Sequence, residues 1–112
     1  MGDATATFFD GLEALGHVPA LEKVSGTLRF DLKNGKRTTR WLVTVDKGDV
    51  TVSHRNAKAD CVVRAEKTVF ERIARGEQNA MAALLRRAVE IEGDEALLLP
   101  FQRLFSGERT GT

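Results

Sequence analysis

Cys61 and His54 are the two side chains whose types could combine into a nucleophile and its base, because a thiolate needs a nearby imidazole to lower its pKa. They fall on neighbouring strand candidates separated by the polar link Asn56 to Asp60. Neither a third orienting residue nor a glycine-rich oxyanion loop accompanies them, so Cys61 reads as a small core hydrophobe. His17, His54 and Cys61 lack the close ligand pairs that announce a zinc site. Gly26, Gly35 and Gly48 are isolated turn residues rather than a phosphate-cradling GxGxxG set. Glu90 and Glu92 alternate along a strand, where solvated outer-face carboxylates are ordinary. The sequence therefore predicts no catalytic residue, no metal and no cofactor.

Two further sets could do binding chemistry. Lys36, Arg37, Arg40, Arg55 and Lys58 could meet a phosphate or an anionic lipid headgroup, although a charged edge that discourages strand-to-strand aggregation is their commoner role. Arg72, Arg75, Arg86 and Arg87 read as helix surface, paired with Glu71 and Glu77. Trp41 carries an indole N–H that needs a partner if buried, which suits a cavity wall with a wet rim as well as plain packing.

The chain that positions these residues has 112 residues, 42% of them hydrophobic and 29% charged, with a formal net charge of +1. That length fits one domain, with a core over about residues 5–106 and loose ends. The balanced charge gives no field to recruit nucleic acid or an anionic membrane. A lone cysteine makes no internal disulfide, and MGDATATFFDGLEALGHV lacks the basic start and apolar core of a secretory signal, so a cytoplasmic location is the expectation. No run approaches the roughly 20 apolar residues that span a bilayer, so stable membrane insertion is not expected.

Periodicity supplies the elements. Phe8, Phe9, Leu12 and Leu15, followed by Val18, predict a helix over Thr5 to Leu15 that stops near Gly16 and Pro19. Leu28, Phe30 and Leu32 alternate with Arg29, Asp31 and Lys33, and Asn34-Gly35 then signals a hairpin with a type I′ turn. Trp41, Val43 and Val45 share a face of the next strand, with Leu42 as an exception on the other. Val50, Val52 and His54 mark a third strand and Cys61 to Ala65 a fourth, the four together reading as an antiparallel meander. Thr68 and Glu71 form a capping-box pattern ahead of Val69, Phe70 and Ile73. A second helix over Asn79 to Arg87 carries Met81, Leu84, Leu85 and Ala88 on one side. Val89 and Ile91 return to a strand, and Asp94 can cap a last helix carrying Leu97, Leu98, Phe101, Leu104 and Phe105, with Pro100 as a kink or fresh start. The expected fold is α+β, a five-stranded, mainly antiparallel sheet with helices packed on one face.

This order of elements, with Thr68-Val69-Phe70-Glu71-Arg72-Ile73-Ala74-Arg75-Gly76, then Arg87-Ala88-Val89-Glu90-Ile91-Glu92-Gly93-Asp94, then the apolar segment Ala96 to Phe105, resembles the sterol carrier protein-2 family. Ala59-Asp60-Cys61-Val62-Val63 is similar to the family's lead into its fourth strand. Arg87 stands where the family usually has glycine, and Glu90 where it often has a basic residue.

The resemblance implies a domain that holds an apolar ligand, such as a fatty acid, acyl-CoA or sterol, between sheet and helices without covalent chemistry. Phe30, Trp41, Val43, Val63, Phe70, Met81, Leu84, Leu85, Leu97, Phe101 and Phe105 are the expected lining. A bound lipid would offset an open cavity, since each buried methylene contributes about 0.8 kcal/mol. The alternative is a protein-interaction or dimerisation domain whose apolar strip packs on a partner chain or its own mate. A third reading is an accessory domain that shields an enzyme's apolar substrate.

Overall fold

The computed structural model describes residues 4–98. Helix α1 (Ala4–Leu15) is followed by a short 3-10 turn at Pro19–Leu21, strands β1 (Ser25–Asn34), β2 (Arg37–Asp46), β3 (Asp49–Ser53) and β4 (Cys61–Glu66), helices α2 (Lys67–Ala74) and α3 (Ala80–Leu85), strand β5 (Val89–Gly93) and a second 3-10 turn at Glu95–Leu97. The five strands form one sheet in the order β3-β2-β1-β4-β5.

Three pairings are antiparallel, but β4 lies parallel to β1, with Leu28 opposite Cys61 and Phe30 opposite Val63. The expected α+β class and the mostly antiparallel sheet hold; the four-strand meander does not. The reason lies in the link 54–60, which leaves the β3 edge and carries the chain beyond β1 rather than turning back. Arg29 on β1 donates to the carbonyl of Ala57 at 3.0 Å, so the link crosses the face on which Arg29 stands. Leu42 and Val62, the rung neighbours of Arg29, are buried on this same face without belonging to the main core.

Turn chemistry also departs from the expectation. Asn34 pairs with Arg37, leaving Gly35-Lys36 as the two-residue loop, and of these only Gly35 has a positive φ, at 65°. Type I′ geometry needs a positive φ at both central residues, and it occurs instead at Lys47-Gly48, with φ of 52° and 94°. Gly48 is constrained twice, because a Cβ there would lie 2.8 Å from the His17 ring.

Helix ends follow backbone rules. α2 begins one residue before Thr68, with Glu66 as an N-cap that makes no side-chain bond, so the expected capping box does not form. Asn79 does cap α3, its side chain accepting from the Ala82 N–H at 3.0 Å. Both helices end in paired Schellman hydrogen bonds. Glu77 and Gly76 donate to Arg72 and Ile73 after α2, and Ala88 and Arg87 donate to Ala83 and Leu84 after α3. The left-handed residue is Gly76 in the first case and Arg87, with φ of 62°, in the second.

One face of the sheet carries Leu28, Phe30, Leu32, Trp41, Val43, Val45, Cys61 and Val63, and it is covered by Phe9 and Leu12 of α1, Phe70 and Ile73 of α2 and Ala83 of α3. Leu15, expected on the apolar stripe of α1, is 61% exposed because the helix ends there at Gly16, whose φ is 69°. Asp60 ties three strand ends together. Its carboxylate accepts from the Thr27 N–H at 3.0 Å, and its carbonyl accepts from the Asp94 N–H at 2.8 Å.

Candidate ligand-binding site

On the inner face the register lines up Trp41, Phe30, Val63 and Ile91 as one row across β2, β1, β4 and β5. Val52, Val43, Leu28 and Cys61 form a neighbouring row that begins on β3. Above them the rings interlock. Phe9 stacks on Trp41 with centroids 4.6 Å apart and planes 14° apart, and on Phe70 at 5.4 Å and 4°. Phe30 meets Phe9 and Phe70 edge-on at 5.2 and 5.8 Å, and Phe8 meets Phe70 edge-on at 5.7 Å. Such ring pairs contribute about 0.5 to 1.5 kcal/mol each beyond burial, so α1, α2 and the sheet are joined mainly here.

Of the expected lining residues, Phe30, Trp41, Val43, Val63 and Phe70 are brought together in this core. Leu97 is half-buried against it, its methyls about where a Cβ on Gly26 would go, at 3.1 and 3.3 Å. Leu84 is half-buried, whereas Leu85 is 79% exposed. α3 turns Ala83 fully inward, and Leu85 is its last residue, immediately before the left-handed turn. The Met81 side chain, Phe101 and Phe105 lie outside the described residues. Phe8, Phe9 and Ile91, outside the expected lining, also belong with the cluster, as does Leu98 of the expected terminal apolar strip. The adjacent Phe8-Phe9 pair ahead of Leu12 was the available signal.

Trp41 is 7% exposed, and its Nε1 has no hydrogen-bond partner among the described residues. A buried donor without an acceptor costs about 1 to 3 kcal/mol, and native structures rarely leave one so. The His54 ring lies against the indole, centroids 4.1 Å apart, with its Nδ1 3.0 Å from the Arg40 carbonyl.

The nucleophile-base pair does not assemble. His54 follows β3 and Cys61 opens β4, with β2 and β1 between them, a separation of about three strand spacings or roughly 14 Å. Burial pushes the Cys61 thiol up to about 11, with Asp94 and Glu95 adding to it, which is the opposite of an activated nucleophile.

The outer face is ionic. Arg40, Asp31, Arg64 and Glu90 form a rung of alternating sign across four strands, and a cleft of about 380 Å³ opens there, with Lys33, Glu66 and Arg87 also on its walls. Asp31 is buried and clamped by Arg29 through bonds of 2.9 and 3.0 Å, while Arg64 holds Glu92 at 2.8 Å. Mixed signs and internal pairing leave this face without a single-sign field.

These features define a small α+β domain, with a mixed sheet whose inner face is apolar and aromatic and whose outer face is ionic. The sequence matches the SCP-2 sterol transfer family over residues 9–106, and the chain belongs to that family. Its fold is similar to that of the sterol carrier protein domain 2 of Helicoverpa armigera, with a TM-score of 0.76, 21% identity, and coverage of 93% of this chain and 89% of that one. It is also similar to the ubiquinone synthesis protein UbiJ-SCP2, with a TM-score of 0.68, 23% identity, and coverage of 90% and 91%. The sec-alkylsulfatase Pisa1 from Pseudomonas sp. matches with a TM-score of 0.70 at 26% identity, over 87% of this chain but 15% of that one. No curated protein matches the chain by sequence.

Proposed function

We propose that the chain binds and carries an apolar, lipid-like ligand without covalent chemistry, in the space between the inner sheet face and the helices. The observation that carries this reading is the family match over residues 9–106, joined to an inner face walled by rings from α1, α2 and the sheet. Phe30, Trp41, Val43, Val63, Phe70 and Leu97 are the proposed lining among the described residues, with Met81, Leu84, Phe101 and Phe105 as further candidates. Apolar walls select by volume and length, so fatty acid, acyl-CoA and sterol-like molecules are all within the class.

The test is a native mass spectrum of protein purified from its host, beside a solvent extract of the same sample. A mass of a few hundred daltons riding on the chain, lost on Leu97→Glu, supports the carrier. A chain that is bare, and stays bare after exposure to fatty acids, acyl-CoA and sterols, overturns it. If the bare chain also changes mass with concentration, it is an interaction domain. The match to one part of Pisa1 favours a second reading, a domain that serves a larger enzyme by shielding an apolar substrate. That reading predicts binding but no turnover by the chain alone.

A further inference from the structure

The feature that the carrier reading leaves unexplained is the indole N–H of Trp41. It is buried, it belongs to the ring cluster, and no acceptor reaches it among the described residues. The parallel ring of Phe9 stacks on the indole. His54, which is exposed to solvent, also lies against it, ring centroids 4.1 Å apart. A backbone carbonyl only accepts, so the contact with Arg40 requires that His54 donate from Nδ1, leaving Nε2 as an acceptor in the neutral ring. Trp41 therefore stands where the apolar cluster meets the solvent-facing edge of the sheet, with a desolvated donor and an exposed polar neighbour.

The geometry points to Trp41 as the residue that selects the head of the ligand: the bound molecule is an amphiphile whose terminal oxygen, of a carboxylate, carbonyl or hydroxyl group, accepts from Trp41 Nε1. This inference rests on the carrier reading and adds to it the residue that reads the ligand's head group. A plain hydrocarbon of equal length would fill the same volume and leave the donor unmade, so the head group rather than the tail separates good ligands from poor ones. The polar end lies beside His54 and the apolar end among the phenylalanines, so the ligand has a defined direction in the fold.

The sequence contains one tryptophan, so a nitrogen-15 spectrum holds a single indole resonance and its assignment needs no mutant. The experiment titrates the full chain with dodecane, dodecanol and dodecanoate, following that resonance and displacement of a fluorescent acyl probe. The expected result is binding of dodecanol and dodecanoate about tenfold tighter than dodecane, the worth of one hydrogen bond made in a dry site. Both oxygenated ligands should also move the indole proton downfield, and Trp41→Phe, which keeps a ring against Phe9 but has no N–H, should remove most of the tenfold gap. Equal binding of all three ligands, or an indole resonance that ignores the head group, overturns the role of Trp41 while the carrier reading stands. Failure of all three to bind or to displace the probe overturns both.

Discussion

Phe9 of α1 lies parallel to Trp41 of β2, centroids 4.6 Å apart, and parallel to Phe70 of α2 at 5.4 Å. One fully buried ring thus packs on both the sheet and the second helix. Phe9→Ala is expected to cost about 3 to 5 kcal/mol, the range for deleting a fully buried phenylalanine. It should also change the emission of the single tryptophan, because the indole loses its stacking neighbour. Urea denaturation followed by fluorescence measures both, and a loss below 1 kcal/mol would show that α1 is held elsewhere.

His17 bridges two carboxylates, Glu22 at 2.9 Å and Asp49 at 2.8 Å, and so fastens the end of α1 to the β2–β3 turn. Both carboxylates accept, so only the doubly protonated ring donates to both. The hydrogen bond to Glu22, then that to Asp49, raises the His17 pKa above its usual 6.5. A raised pKa means that this contribution to stability is complete below about pH 6.5 and is lost as pH climbs through the folded-state value. The melting temperature of the native chain minus that of His17→Gln should fall between pH 6 and pH 9, and fall less in high salt because the site is exposed. A difference that stays level over that range would remove the protonated bridge from the account.

Arg87 closes the Schellman turn after α3 in a left-handed conformation, the position that favours glycine. Arg87→Gly should stabilise the chain by about 1 kcal/mol, since a left-handed L-residue costs roughly 1 to 2 kcal/mol and glycine returns part of this through unfolded-state freedom. An unchanged or lowered denaturation midpoint would mean that the guanidinium makes a compensating contact at the ionic cleft.

Cys61 should be inert. A rise from 9.0 to about 11 lowers the thiolate fraction about a hundredfold near neutral pH, before burial of the sulfur is counted. Alkylation by iodoacetamide at pH 8 is expected to be at least a hundredfold slower in buffer than in urea. Comparable rates would place the thiol at the surface.

Much of this arrangement was legible because it depends on local pattern. Period-two runs identified β1 through β5, and the spacing of Phe70 and Ile73 gave α2 its buried side. The parallel pairing of β1 with β4 was not legible, because Cys61 to Ala65 alternates identically whichever neighbour it takes; the path of the link decides, and Arg29 holding the Ala57 carbonyl is a tertiary fact. Asn34-Gly35 misled for a similar reason, since the strand register moved the turn forward by one residue. Among the expected lining residues, the inward burial of the sheet positions Phe30, Trp41, Val43 and Val63 was readable from alternation. Leu85 was not, because its exposure depends on where a six-residue helix stops. The orphaned Trp41 donor required the packed structure, as sequence says that an indole needs an acceptor but not whether one is near.

The parallel seam also sets an order of assembly. The meander β1-β2-β3 closes through two tight turns, events of about 1 to 10 microseconds each, whereas Leu28 meets Cys61 only after the long intervening chain has been drawn across the sheet. The protein is therefore an N-terminal helix and ribbon and a C-terminal strand-helix-helix-strand unit, joined by the β1–β4 ladder and by the packing of Phe9 and Phe30 on Phe70. Until that ladder forms, β1 presents an open backbone edge flanked by Leu28, Phe30 and Leu32, which is the point where a nascent copy is exposed to pairing with a neighbour. Cutting the chain within the link 54–60 should accordingly yield fragments that find each other again in solution, so the link can be severed as a covalent bond and replaced by concentration.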